Sequence, residues 1–134
     1  MALDYYLNIK NSGTKKEQEE LHNLLLTKFM LTKHQDTQIM TAPGIAVSTF
    51  LDRNNFEKTN EVDSMLPNLT ICFRINKLKL QKDGYKLLQK IAQYIFDTID
   101  SDMYLTDEYD DAIFLKKESG KITRMLLDHD IWMH

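Results

Sequence analysis

Within residues 69–99 the apolar positions change period, and that change restricts the possible folds more than any other feature of the chain. Leu69, Ile71, Phe73 and Ile75 alternate with Thr70, Cys72, Arg74 and Asn76, which is the period of a strand with one face in a core. Beyond Asn76, the residues Gly84, Leu87, Leu88, Ile91, Ala92, Ile95 and Ile99 recur at helical spacing, with Lys82, Lys86, Lys90 and Gln93 on the other side. This spacing predicts an amphipathic helix. A central strand feeding such a helix is half of a sheet-and-helix layer, and the rest of the chain must supply the other half.

Leu3, Tyr5, Leu7 and Ile9 supply the alternation of a first strand, which Asn11, Ser12 and Gly13 interrupt. Thr14 followed by Glu17 fits a capping box, with Glu17, Glu19 and Glu20 at the positive end of the helix dipole. Leu21, Leu24, Leu25, Lys28 and Phe29 make the inward stripe of that helix, which is expected to end near Leu31. Residues 32–41 read as polar and irregular. Ala42, Pro43 and Gly44 then turn the chain into a strand carried by Ile45, Val47, Thr49 and Leu51. Residues 52–66 lack a sustained period and read as a long solvent loop closed by Pro67. After Ile99 come three short strands, at residues 103–106, 112–117 and 121–127, expected to form a meander. The order is β-α-β-β-α-β-β-β. The fold class is therefore α+β: a mostly antiparallel sheet with two amphipathic helices packed on one face, in a split β-α-β arrangement.

At 134 residues, with 43% hydrophobic and 28% charged positions, the chain is expected to form a single domain over residues 1–134. Such a domain buries roughly two thirds of its unfolded surface without a metal or a disulfide. A net charge of -3 gives little attraction to nucleic acid or to an anionic membrane. The lone Cys72 reads as a small strand residue in a reducing compartment. The opening MALDYYLNIK has no basic segment followed by an apolar run, and no window approaches about 18 consecutive apolar residues. The expectation is a cytoplasmic protein.

Asp128, His129, Asp130 and His134 have the chemistry of metal ligands, but successive residues of an extended tail point in opposite directions. A solvated tail anchored by Ile131 and Trp132 is the better reading, with His22 on a helix face and His34 in a loop. No nucleophile elbow, phosphate-binding loop, dinucleotide fingerprint or Cys-x-x-Cys pair occurs. The expectation is a protein that is not an enzyme and takes no metal or cofactor. Charge is more informative. Asp97, Asp100, Asp102, Asp107, Glu108, Asp110 and Asp111 occur with no Lys or Arg among residues 97–111. Residues 77–90, by contrast, hold Lys77, Lys79, Lys82, Lys86 and Lys90 against the single Asp83. The acidic run is either solubilising surface or, with Tyr104 and Tyr109 as contact residues, a surface that docks a basic protein partner.

The chain resembles the immunity proteins of bacterial swarm-inhibition (Sit) toxins, which belong to contact-dependent polymorphic toxin systems. The opening MALDYYLNI resembles the family's short aromatic first strand, and TAPGIAVSTF at residues 41–50 its Ala-Pro-Gly turn into a strand. CFRINK at residues 72–77, leading through Gly84 and Tyr85 into a Leu-rich helix, and DAIFL at residues 111–115 complete the likeness. The acidic turn at residues 106–110 and the ending HDIWMH depart from the family's pattern. The resemblance implies a protein that neutralises a cognate toxin by binding it, with no catalytic residues. From another class, a small-ligand-binding or enzymatic domain would need a pocket under the loop at residues 52–66, and a third reading is an adaptor that uses an exposed sheet edge.

Overall fold

The computed structural model of the chain describes residues 2–10, 13–34, 39–52, 68–76, 81–107 and 112–133. Strand β1 (Ala2–Ile9) turns Tyr5, Leu7 and Ile9 into the core, as the alternation requires. Helix α1 (Lys15–Lys28) starts at Thr14, whose Oγ1 accepts the Glu17 amide at 3.1 Å and donates to Glu17 Oε1 at 2.9 Å. The box thus closes through the hydroxyl, on a helix with an acid in its first turn. Its end comes earlier than Leu31. Met30 takes a left-handed φ of 54°, while the Met30 and Leu31 amides close back on the Thr27 and Leu26 carbonyls at 3.4 and 3.0 Å. That is a Schellman ending made without glycine.

Residues 32–41, read from sequence as irregular, contain two strands, β2 (Thr32–Lys33) and β3 (Ile39–Ala42). β3 forms a hairpin with β4 (Ile45–Asp52) through Pro43 and Gly44, and the φ of 82° at Gly44 is the conformation a type II turn requires there. Asp52, read as the first residue of a loop, is the last residue of β4. Strand β5 (Asn68–Asn76) then leads towards helix α2 (Gln81–Thr98), which buries Tyr85, Leu88, Ile91, Ala92, Ile95 and Phe96. β6 (Met103–Asp107), β7 (Ile113–Glu118) and β8 (Lys121–Arg124) form the meander, and α3 (Asp130–Met133) follows.

Among the described residues the sheet has eight strands in the order β2-β3-β4-β5-β1-β6-β7-β8, and every pairing is antiparallel. β1 and β4 flank β5 and are therefore parallel to each other, and α1 lies on the connection between them. β5 and β6 flank β1 in the same way and are joined through α2. Two interleaved split β-α-β units make a ferredoxin-like centre, extended by the β2-β3 hairpin on one side and by β7 and β8 on the other. In register, Tyr5 and Val47 both sit opposite Phe73, and Leu7 sits opposite Ile71. These side chains form one core with Leu21 and Leu25 of α1 and Leu88, Ile91 and Ile95 of α2. The helices meet where the Phe29 and Tyr94 rings pack edge to face, with centroids 5.8 Å apart and Lys28 Nζ lying 4.7 Å from the Tyr94 ring centre.

Two residues fix α2 on the sheet. At its start Gly84 stands against the Gly44 turn, where an added Cβ would lie 2.3 Å from the Gly44 carbonyl oxygen. At its end the buried Lys117 donates from Nζ to the Phe96 and Ile99 carbonyls at 2.8 and 2.6 Å, an ammonium placed on the negative end of the helix dipole. β7 can send a residue there and also bury Phe114 because the register shifts between Leu105 and Thr106, so that Phe114 has no direct partner across the pair and is re-aimed. Its ring packs on Tyr5 and His129, at 5.7 and 4.5 Å between centroids.

The last expected strand is shorter than residues 121–127, and the tail is not extended. β8 stops at Arg124, Leu126 adopts a φ of 54°, and residues 130–133 form a helical turn that buries Ile131. His129 Nδ1 accepts the Ile131 amide at 3.1 Å and so caps that turn.

Candidate interaction surfaces

The acidic run is divided in space by β6. Asp97 projects from the last turn of α2, exposed, and accepts a hydrogen bond from Gln93 Nε2 at 3.0 Å. Asp100 and Asp102 are exposed in the connection to β6, and Asp102 Oδ1 accepts the Ser119 amide at 2.9 Å. Tyr104 is half-buried on β6, Asp107 stands at the far end of that strand, and Glu108, Tyr109, Asp110 and Asp111 lie outside the described residues. Four residue steps of strand separate Met103 from Asp107, about 13 Å at the usual rise. That exceeds the screening length of about 8 Å at physiological ionic strength, so the two ends act as separate fields. The first end also has cations near it that the sequence run lacks. Asp102 lines a hollow of about 240 Å³ with Lys10, Tyr104, Lys116 and Lys117, and Lys116 Nζ pairs with Glu118 at 3.0 Å. Of the basic run, Lys82, Lys86 and Lys90 are exposed at successive turns of α2, while Lys77 and Lys79 lie outside the described residues.

The sheet face away from the helices carries a second groove, about 340 Å³, lined by Asp4, Tyr6, Ser48, Phe50, Cys72 and Arg74 among others. Asp4 and Arg74 face each other across β1 and β5 and form a two-point ion pair, Nε to Oδ1 at 2.8 Å and Nη2 to Oδ2 at 3.1 Å. The hydrogen bond to Asp4 raises the already high pKa of Arg74. Burial, and then the Asp4 carboxylate, push the Cys72 thiol up to about 11, against smaller opposing effects from Arg74, Tyr6 and Ser48. The arrangement holds a neutralised guanidinium and a protonated thiol. Nucleophilic chemistry needs thiolate, which this environment disfavours.

His22 lies buried on α1. Burial, followed by the charge of Lys33, lowers its pKa, and its Nδ1 has no hydrogen-bond partner among the described residues. His34 Nε2 bonds Thr41 Oγ1 at 2.9 Å. With His129 Nδ1 used in the helix cap and His134 outside the described residues, no group of three or more His, Cys, Asp or Glu among the described residues is placed to hold a metal ion. The loop proposed to cover a pocket falls almost wholly on residues 53–67, outside those described. Among the described residues no helix is long and apolar enough to cross a membrane. One surface went unread in the sequence: Met125, Leu126 and Leu127, assigned to a strand, are exposed in a turn. Three consecutive large apolar residues directly after the basic strand Lys-Ile-Thr-Arg were the available signal.

An antiparallel sheet backed by helices on one face, with exposed charge on both strands and helices, defines an α+β domain. A family model described as SitI3-like matches residues 3–134, and the chain belongs to that family. The match bears out the resemblance to the Sit immunity proteins carried by the strand and turn phrases of the sequence. Neither a curated protein nor a solved structure matches the chain.

Proposed function

We propose that this protein is an immunity protein that binds a cognate bacterial toxin domain in the cytoplasm and neutralises it without catalysis, through a charged surface. The observation that carries this reading is the SitI3-like family match over residues 3–134. The proposed contact is the acidic segment, Asp97, Asp100, Asp102, Tyr104 and Asp107 with Glu108, Tyr109, Asp110 and Asp111, facing a basic surface of the toxin. Carboxylates at the two ends of β6 would steer encounter, and the half-buried Tyr104 between them would supply an amphipathic contact.

The test is co-expression with the toxin domain encoded beside the gene, combined with association rates at two salt concentrations. Replacing Asp107, Glu108, Asp110 and Asp111 by Asn or Gln is expected to slow association and flatten its salt dependence while leaving the melting temperature unchanged, because rim charges act mainly on encounter. Full protection together with unaltered association by that variant would remove the segment from the interface. If the wild-type protein neither binds nor protects against the toxin, the immunity reading itself fails.

A further inference from the structure

β8 is the last strand of the sheet, and among the described residues no strand pairs with its outer edge. An open edge offers amides and carbonyls to any extended chain that reaches it. Just beyond it Met125, Leu126 and Leu127 are 39%, 47% and 63% exposed. These side chains are held outward by a fixed backbone. The Met125 amide donates to the Phe114 carbonyl at 2.8 Å, Trp132 Nε1 donates to the Met125 carbonyl at 2.8 Å, and the His129 amide donates to the Leu126 carbonyl at 3.0 Å. Leu126 sits at a φ of 54°, which a side chain of its kind seldom adopts. The turn therefore leaves three adjacent apolar residues partly open to water, with Leu126 in a left-handed conformation.

The charges carried by β8 itself are both positive. Lys121 and Arg124 are the charged residues of β8, and both are exposed. The Arg124 guanidinium lies 4.9 Å from the centre of the Trp132 ring and donates to Gln93 Oε1 at 3.3 Å, which draws the end of the strand against α2. Lys86 and Lys90 are exposed one turn before Gln89 and Gln93. Of the nearby acids, Glu118 sits opposite Lys121 in register and pairs with Lys116 at 3.0 Å, Asp97 is bonded to Gln93 at the border, and Asp128 is exposed directly after Leu127. Strand alternation sends Ile122 and Arg124 to one side, Lys121 and Thr123 to the other.

We propose that β8 and residues 125–127 are the docking edge for an extended acidic segment of the protein partner. The segment adds to the sheet as a further strand, sets carboxylates against Lys121 and Arg124, and lays apolar side chains on Ile122 and Leu127. This inference rests on the toxin-binding reading and names a contact separate from the acidic run. A second copy of the chain fits less well, because antiparallel pairing of β8 with itself about its centre would set Lys121 opposite Arg124 of the other copy, like charge against like.

The experiment uses the intact protein and the toxin domain encoded beside its gene. Hydrogen exchange of residues 121–124 is measured free and in the complex, and binding is measured for wild type, Lys121→Glu with Arg124→Glu, and Leu127→Asp. The expected results are slowed exchange of those amides in the complex and at least about tenfold weaker binding by each folded variant. Should the charge reversal disturb the Trp132 and Gln93 contacts enough to unfold the protein, Leu127→Asp decides, since its side chain is 63% exposed. Wild-type binding with unchanged exchange at 121–124, or with both folded variants binding as wild type does, overturns the edge and leaves the immunity reading standing. No binding by wild type removes both. A wild-type dimer in sedimentation that these variants disperse assigns the edge to a second copy, which also overturns the proposal.

Discussion

Gly84→Ala sets two well-characterised effects against each other with opposite signs. In a helix interior, alanine is favoured over glycine by about 1 kcal/mol, so at an open site the substitution stabilises. Gly84 is not at an open site. Its added Cβ would lie 2.3 Å from the Gly44 carbonyl oxygen, 2.9 Å from the Gly44 carbonyl carbon and 3.3 Å from Ile75 Cδ1. The oxygen cannot easily withdraw, because it accepts the Asn76 amide at 2.9 Å and belongs to a turn held by Pro43 and a left-handed Gly44. Restoring ordinary contact requires a relative movement of about 1 Å between α2 and the β3-β4 turn, and a strained insertion of this kind costs about 1–3 kcal/mol or more. A Cβ this close to a backbone oxygen belongs to the upper part of that range, about 2–3 kcal/mol, so the close approach should win and leave Gly84→Ala less stable than wild type by about 1–2 kcal/mol after the propensity gain is subtracted. For a chain of this length that lowers the melting temperature by about 3–8 °C. Urea denaturation followed by far-ultraviolet circular dichroism measures it, with Lys86→Ala on the exposed side of the same helix as the reference. A variant as stable as wild type, or stabilised by the helix-propensity increment, would refute the contact between α2 and the Gly44 turn.

Phe73→Ala and Leu88→Ala each empty a fully buried position in the core shared by β5 and α2, and each should cost about 2–5 kcal/mol in urea unfolding; midpoints equal to wild type would contradict the packing. Cys72, with its thiol pKa pushed up to about 11, should react with iodoacetamide at pH 8 at roughly one hundredth or less of the rate of an ordinary thiol, and equal rates in native and urea-unfolded protein would show that the thiol is not held protonated. His22 has a folded pKa below its ordinary 6.5, so the unfolded chain takes up that proton first as pH falls. Its contribution to stability is present above 6.5 and is lost as pH falls towards the folded value. The urea midpoint should therefore drop less between pH 7.5 and 5.5 in His22→Gln than in wild type, and identical slopes would exclude a buried neutral imidazole.

The central layer was legible because burial imposes its period on the sequence. Leu69, Ile71, Phe73 and Ile75 alternate because one face of β5 is covered by helices, and α2 shows its stripe for the same reason. β2 left no such trace: Thr32 and Lys33 are both exposed, and their pairing with Thr41 and Met40 is backbone chemistry that any side chain permits. The end of α1 was misplaced because Phe29 and Leu31 continue the apolar spacing while the reversal falls on Met30, where no glycine marks it. The tail was misread for the same reason at Leu126. Lys117 shows a further limit. Its position in β7 is visible as alternation, but its task of closing the last turn of α2 depends on two elements meeting in space.

The surface is illegible for another reason, which is that charge acts through distance in space and not along the chain. Residues 97–111 look like one acidic field in sequence, yet β6 carries Asp107 beyond the screening length from Asp102 and brings Lys10 and Lys116 to the hollow that Asp102 lines. Arg124 and Asp97 are far apart in the chain, yet Gln93 bonds both, so a cation and an anion share one corner of the molecule. A partner that meets this corner encounters both signs within a few ångströms. On the proposed reading, discrimination there would come from matching the order of charges along an edge rather than from net attraction. With a net charge of only -3, selectivity of that kind would need no strong overall field, because the fold decides which charges are neighbours.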